Sequence, residues 1–531
     1  MTAKSQRYLI ADLGAVRKKG FVYLLKSEVW PVGEKEFHEF SNYARNLYIK
    51  VIKDIDNDDI LDIALIETAF VNHLIDIFHY NYVSNYCLKN NIQLVSSKDS
   101  NSFINPNWGY LSNYYSRENI GFNKFKGFIR NKVKNLVFNR HLSVWSLFCN
   151  IFSKSAVVGI GSNDRVKQEY INNNKLFCDN RDGNELINQA LDLFTNNSNG
   201  FLENELSDFF SKKILASFFN GLHDSNKSSL FVKGIDFNII EKTWSNRFVH
   251  AYKIYKGLLL IKKPNTLLVT EVGKPFSKII TTVFQKSECK VFNFHHGNDS
   301  VLVNQYWTYL SLFGHCKNYV LDTKVMSRRF LELSYTHAHL KSKNINYSSV
   351  GSGYYHNLRN KKHTNNYKSI MIMGYPMNLS RHPDDSYHFF HYKLGLEYTI
   401  AKKLKYSGYD VIYKAHPDRL NEIKSIMDNV SSKVVEQRFE DIWQEASVLV
   451  FTYIPTTTFC YALNLPIPIV FVEMDDTPWY KNMREIVEGR ISIIKASMQG
   501  NILSVDKNDL TASIKEAQNK VNLLNAERVT G

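Results

Sequence analysis

Cysteine is scarce here, with six in 531 residues (Cys87, Cys149, Cys178, Cys289, Cys316 and Cys460), and no two of them form a C-x-x-C pair. That spacing excludes a disulfide framework and a structural zinc site, and leaves buried free thiols as the expected state. Long apolar runs are missing too. Nothing reaches the roughly 18 consecutive apolar residues that a membrane-spanning helix requires, and the stretch from Met1 to Val16 lacks the pattern of a signal peptide. A cytoplasmic location is expected. There is no internal repeat, no low-complexity tract and no nucleic-acid fold motif, so the positive balance is not read as nucleic-acid binding.

What is present favours large folded domains. The chain is too long for one core, and 44% apolar with 14% aromatic residues can fill two or three. Lysine plus arginine (66) outnumber aspartate plus glutamate (51), a net charge of +15 that suits anionic substrates or an anionic membrane face. The segment 123–152 fits the second use. It carries Lys124, Lys126, Arg130, Lys132, Lys134 and Arg140 between apolar residues, then an apolar stretch. An ordinary surface helix followed by a buried one is the plainer reading.

Periodicity divides the chain. Up to about residue 355, short strands are expected at Phe21–Leu25, Ile92–Ser96, Ala156–Ile160, Thr266–Glu271, Lys290–His295 and Tyr319–Asp322, with helical spacing from Phe37 to Tyr80. Residues 356–368 are polar, basic and aperiodic, as a linker is. From 369 to 531 the pattern is regular. Strands at Ser369–Gly374, Asp410–Tyr413, Lys433–Glu436, Val448–Thr452 and Ile467–Val472 alternate with helices at His391–Lys405, Leu420–Asp428, Ile442–Ala446 and from near Thr456. A final helix is expected over Leu510–Leu524. This alternation predicts a parallel sheet with right-handed crossovers. The fold class is therefore α/β, with two Rossmann-type domains and extra helices in the N-terminal half.

Ligands of such sheets bind beyond the carboxyl ends of strands, and the strand ends carry the chemistry. Lys414-Ala415-His416-Pro417 follows one strand; an imidazole there can donate to a phosphate oxygen. Thr456, Thr457 and Thr458 follow another, where hydroxyls and free N–H groups face outward; simple capping by one threonine is the alternative. Ser380 and Arg381 end a third loop, and Arg381 suits a phosphate or carboxylate. The nearby His382, Asp384, Asp385, His388 and His391 follow no metal-ligand spacing, so no metal is expected. In the N-terminal half, Glu271-Val272-Gly273-Lys274 and His296-Gly297 leave two strands, and a carboxylate and imidazole so placed can tune each other. Asp164 follows a further strand. Solvated turn residues are the plainer reading of all three.

Taken together, His296-Gly297, Pro376 to Arg381, Lys414 to Pro417 and Thr456 to Thr458 resemble the motifs of bacterial GT-B transferases that use CMP- or CDP-activated donors in capsule, lipopolysaccharide or teichoic-acid assembly. These are the β-Kdo transferases, the sialyl- and polysialyltransferases and the CDP-glycerol glycerophosphotransferases. The resemblance covers about residues 265–475. It implies a GT-B fold and a nucleotide phosphate held by His416, Pro417 and the threonine run. The acidic motif of polysialyltransferases is absent, Glu271-Val272-Gly273 being nearest to it, and Thr452-Tyr453 stands where glycerophosphotransferases carry an aspartate. A CMP-Kdo donor is favoured, with a glycan or lipid-linked acceptor. On that reading Glu271 is the catalytic carboxylate, with His296 beside it and Asp164 in reserve. Lys274, Gly297, Ser380 and Arg381 would contact donor or acceptor, and no cofactor is needed. A CDP-glycerol or CDP-ribitol phosphotransferase, a sialyltransferase and a non-catalytic glycan- or nucleotide-binding subunit are the alternatives.

Overall fold

The computed structural model describes residues 7–11, 13–96, 157–161, 164–197, 203–224, 229–270, 275–294, 302–303, 315–336, 344–363, 368–375, 390–454, 456–474, 477, 479–499 and 502–531. The basic segment 123–152 lies outside them. Among the described residues no helix is long and apolar enough to cross a membrane.

The chain opens with a two-stranded parallel piece, β1 (Tyr8–Ile10) against β2 (Gln93–Val95). Helices fill the interval. Phe21–Leu25, expected as a strand, is a short helix. A five-residue apolar run is ambiguous by itself, and here Phe21 and Leu24, one helical turn apart, are the buried pair. The helical pattern expected from Phe37 to Tyr80 breaks into Glu34–Ile52, Asp58–Ile66 and Thr68–Lys89. Asn57 makes the first break by accepting the N–H of Asp59 and Ile60 at 3.0 and 3.1 Å.

The first large sheet is wholly parallel. It contains β3 (Val157–Ile160), β4 (Asp179–Arg181), β5 (Thr266–Thr270), β6 (Lys290–Phe294), β7 (Asn318–Leu321) and β8 (Asn346–Ser349), in the order β4-β3-β5-β6-β7-β8. Both faces are covered, and its central strands are accordingly mostly apolar. The helix Arg165–Asn173 packs Val166 against Val157, Leu268, Phe294 and Val320 on one face. Helices Gly183–Asn197, Phe237–Leu260 and Pro275–Lys286 close the other.

The second sheet, also parallel, holds β9 (Ser369–Met373), β10 (Asp410–Lys414), β11 (Lys433–Val435), β12 (Val448–Phe451), β13 (Ile469–Glu473) and β14 (Ser492–Lys495). Its order, β11-β10-β9-β12-β13-β14, is that of a doubly wound dinucleotide-binding sheet. Strand order reverses between β9 and β12 here, and between β3 and β5 in the first sheet. A small hairpin, β15 (Ser497–Gln499) with β16 (Ile502–Ser504), follows.

The two sheets fall on either side of residues 356–368, although that stretch is helical as far as Arg359. The chain's ends cross between the halves. Phe21 stacks on Tyr398 of the helix Phe390–Tyr406, with ring centroids 3.6 Å apart. The expected terminal helix is two helices, Lys507–Asn519 and Leu523–Thr530, because Asn522 caps the second by accepting the Leu524 N–H at 3.1 Å. That last helix reaches back: the Thr323 hydroxyl donates to the Thr530 carbonyl, and Thr530 Oγ1 donates to Asn464 Oδ1 at 2.9 Å. The carboxyl-terminal edges of the sheets also meet. Val303, beyond β6, bridges Trp479, beyond β13, and the Tyr480 N–H donates to the Leu302 carbonyl at 2.9 Å.

Candidate functional site

Two strands in the second sheet, β10 and β12, flank β9 and run parallel to it. His416 leaves the carboxyl end of β10 and the threonine run leaves that of β12. They therefore stand at the same edge, about 10 Å apart at the strands, two interstrand spacings.

The turn after β10 is built from buried charge. Arg419 and Glu397 are both fully buried, Arg419 Nη1 lying 3.6 Å from Glu397 Oε2. Glu397 also accepts the Tyr413 hydroxyl at 2.6 Å and the Tyr375 N–H at 2.5 Å, while Arg419 donates to the Tyr375 carbonyl. Burial, then the Glu397 carboxylate, pushes the Tyr413 phenol well up, so it remains a donor. One ion pair thus grips the peptide groups on both sides of Tyr375 and the turn that begins at His416. The Arg419 N–H closes that turn on the His416 carbonyl at 2.9 Å. Pro417 opens a 3₁₀ turn and is exposed; His416 is partly exposed.

Lys414 does not face outward. It is buried, and its ammonium donates to the Ala415 carbonyl at 2.6 Å and reaches the Glu436 carbonyl at 3.5 Å, fastening β10 to the end of β11. Burial lowers its pKa.

Thr456 takes the capping role. Its hydroxyl accepts the Phe459 N–H at 3.1 Å at the head of the helix Thr457–Leu463, leaving Thr457 exposed and Thr458 partly exposed. Phe459 seats the helix edge-to-face on Phe451 of β12, with centroids 5.0 Å apart. Beneath its far end Arg490, fully buried, donates to the carbonyls of Leu463, Leu465 and Ile467 at 2.9, 2.6 and 2.9 Å.

Reasoning from sequence passed over the feature at the reversal point itself. Met373 of β9 and Phe451 of β12 are register partners, and two residues beyond each stands a tyrosine. The rings of Tyr375 and Tyr453 meet edge-to-face, centroids 4.5 Å apart. Lys393, from the first turn of the helix Phe390–Tyr406, places its ammonium 4.9 Å from the Tyr375 centroid and 5.3 Å from that of Tyr453. The only signal in the sequence was a tyrosine soon after each strand.

In the first sheet, Asp164 caps the helix Arg165–Asn173, its carboxylate accepting the Lys167 N–H at 2.8 Å. Its neighbour Arg165 instead reaches across the sheet. It donates to Asp322 Oδ1 at 2.8 Å and pairs with Oδ2, where Asp322, just beyond β7, is buried. The guanidinium lies 3.7 Å from the Tyr354 ring centroid, and Tyr354 touches Tyr461 of the threonine-headed helix at 5.9 Å. A continuous chain of side chains thus links the first sheet's carboxyl edge to the second's.

Glu271, Lys274, His296, Gly297, Ser380 and Arg381 lie outside the described residues. The strands they follow are described. β5 and β6 are neighbours, with Thr270 paired to Phe294, so Glu271 and the His295-His296 pair leave adjacent strand ends. Thr270 Oγ1 also donates to the Ile160 carbonyl at 3.3 Å, and Gly161, at φ +83°, is pressed against Thr270 so closely that a Cβ would strike its hydroxyl. Among the described residues no group of three or more His, Cys, Asp or Glu side chains is placed to hold a metal ion, and the five described cysteines are free thiols.

Compared with known proteins, the chain matches no family model and no curated sequence.

Proposed function

We propose that this protein is a GT-B-type glycosyltransferase that moves an acidic ulosonic sugar, Kdo in the favoured case, from a CMP donor to a bacterial surface polysaccharide or lipid-linked glycan. The observation that carries the reading is the common edge shared by His416 and the Thr456–Thr458 turn, on either side of the strand-order reversal of a doubly wound sheet. That is where such sheets place a nucleotide phosphate. A second parallel sheet whose carboxyl edge meets the first supports a two-domain arrangement with substrate between the halves.

A CMP leaving group carries one phosphate. The charge that develops on it is met by the imidazole of His416 and the hydroxyls of Thr457 and Thr458, Thr456 being engaged in its own cap. Metal is unnecessary in this scheme because fixed donors supply the stabilisation. Glu271 serves as general base toward the acceptor hydroxyl, or as nucleophile at the anomeric carbon if the configuration is retained. His296, leaving the adjacent strand, orients it. Lys274 and Arg381 meet the sugar carboxylate. Contact of segment 123–152 with an anionic membrane would bring the enzyme to a lipid-linked acceptor.

A thermal-shift panel tests the donor class. A cytidine nucleotide at 100 times its Kd should add about 2.7 kcal/mol of stability, with UDP and GDP giving nothing comparable. Incubation with CMP-Kdo, CMP-sialic acid and CDP-glycerol in turn, following nucleotide release, then identifies the donor. Release from CDP-glycerol alone, or from none, removes the proposal.

A further inference from the structure

We propose that the helices Leu13–Lys19, Phe21–Leu25 and Phe390–Tyr406 form a docking face for an anionic phospholipid membrane, with Lys19, Lys26, Lys402 and Lys405 as its charges and Val22 and Tyr406 as the side chains that enter the headgroup layer. The inference does not depend on the reading above, and the surface is distinct from segment 123–152.

The first observation is a juxtaposition that only the fold creates. Two stretches far apart in the chain, Lys19 to Lys26 and Tyr398 to Tyr406, both set lysines among apolar and aromatic residues. Phe21 stacks on Tyr398, centroids 3.6 Å and planes 24° apart, so the two stretches become one surface. Arg17 fastens the first helix to its neighbour by donating to the Asn421 carbonyl at 3.0 Å. The Lys19 ammonium lies 5.9 Å from the Tyr23 ring centroid, and Lys26 stands one helical turn beyond Val22. On the long helix, Tyr398, Lys402 and Tyr406 recur every fourth residue and so share a face, with the Lys402 ammonium 5.9 Å from the Tyr406 centroid.

The second observation is charge. Lys19, Lys26, Lys402 and Lys405 are all exposed. Lys405 keeps its charge while donating to the Ser431 carbonyl at 3.3 Å. The three helices carry a single carboxylate, Glu397, which is fully buried and lies 3.6 Å from Arg419. Glu28, the first acidic residue after Lys26, is held by Arg7 at 2.7 and 3.1 Å. A face with exposed cations and no exposed anion on its own helices complements phosphate headgroups, and each lysine close to such a surface strengthens partition roughly fivefold.

The third observation is apolar exposure among those cations. Val22 is 65% exposed and Tyr406 is 76% exposed. Apolar side chains ringed by lysines suit the boundary between headgroups and acyl chains, where tyrosine also collects. An acidic polymer would engage the lysines and leave Val22 in water. Position agrees as well. The helix Phe390–Tyr406 ends just before β10 begins at Asp410, so the face lies toward the amino-terminal edge of the second sheet and leaves the crevice at the carboxyl edge open.

Sedimentation of the full chain with vesicles of phosphatidylcholine, alone or mixed with phosphatidylglycerol, tests this. Wild type should bind the mixed vesicles, leave them in high salt, and ignore phosphatidylcholine alone. Combining Lys19→Gln, Lys26→Gln, Lys402→Gln and Lys405→Gln should weaken binding at least about a hundredfold. Val22→Ser with Tyr406→Ser should weaken it severalfold. These side chains are exposed, and melting curves that match wild type show that each variant is folded. Wild type that does not bind the mixed vesicles overturns the proposal. A folded quadruple variant that binds like wild type overturns it too, and loss of binding in Lys124→Gln, Lys126→Gln, Arg130→Gln would then move the contact to 123–152. Binding to poly-glutamate as tight as to mixed vesicles, and unchanged by the serine pair, would give the face to an acidic polymer and overturn the membrane. Nucleotide release from the sugar donor is read separately, so failure here leaves the transferase proposal standing.

Discussion

Arg247 and Glu67 form an ion pair with no solvent exposure on either side chain, Nε to Oε2 2.6 Å, in the helical layer beneath the first sheet. Lys278, on the helix Pro275–Lys286, is buried beside them, and among the described residues its ammonium has no hydrogen-bond partner. Burial lowers its pKa from 10.5 to about 7; Glu67 opposes that shift and Arg247 adds to it.

A pH-dependent stability follows. The unfolded chain holds the Lys278 proton up to about pH 10.5, whereas the folded chain releases it near 7. The penalty is therefore complete below pH 7 and fades as pH rises toward 10.5. Lys278→Met removes it and should stabilise the protein by roughly 2–5 kcal/mol at pH 6, an order-of-magnitude figure from the shift. Melting curves of variant and wild type should draw together by pH 10. An equal gap at pH 6 and pH 10 would count against the assignment. Glu67→Gln should do the opposite, costing about 3–5 kcal/mol by leaving Arg247 buried without its counter-ion.

Arg490 gathers three carbonyls of the turn after the threonine-headed helix. Replacement by methionine keeps the volume roughly and strands those acceptors. Charged hydrogen bonds contribute about 1.5–3 kcal/mol each, and relief of the guanidinium's own desolvation offsets part of that. We expect a net loss of about 2–4 kcal/mol, read as a lower urea midpoint. Lysine should not rescue it, since one ammonium cannot reproduce the planar fork. Full stability in the methionine variant would show that the turn holds itself.

The central strands of the second sheet were legible because both faces are covered, which writes them as runs of apolar residues ended by polar turns. Edge strands were less so: β11 was expected at Lys433–Glu436 and is found at Lys433–Val435, but β4, β8 and β14 were not expected. β4 is Asp179-Asn180-Arg181 and β8 is Asn346 to Ser349; with part of each strand exposed, neither has an apolar run to announce it. Phe21–Leu25 failed for the reverse reason, being apolar enough for a strand but packed at helical spacing. At the candidate site, the strand-end rule found His416 and the threonines, whose positions depend on local sequence. It could not find Lys393, since a lysine in a helix turn looks like any solvated one until strand order brings two tyrosines over it. Nor could it separate the capping threonine from its neighbours.

Gly161 separates backbone conformation from contact. Gly161 and Gly408 share φ +83°, but a Cβ at Gly161 would collide with Thr270 whereas one at Gly408 meets nothing within 4 Å. Alanine at 408 should cost only the left-handed strain, about 1–2 kcal/mol. Alanine at 161 should cost that and more, because β3 and β5 must part at the end where Glu271 departs. Comparable losses from the two variants in urea unfolding would mean that this close approach carries no load.

The turn that His416 begins is closed by backbone, Arg419 N–H to His416 carbonyl, and by the buried Arg419–Glu397 pair. A folded His416→Ala variant should lose at least about a hundredfold in transfer, the low end for a proton-transferring or charge-stabilising side chain. Glu271→Gln should match that loss through a different step. Because CMP contacts His416 and not Glu271 in this scheme, nucleotide affinity should fall in the alanine variant and hold in the glutamine one. Retained affinity in both would detach His416 from the phosphate, and near-normal turnover in Glu271→Gln would remove that carboxylate from the reaction.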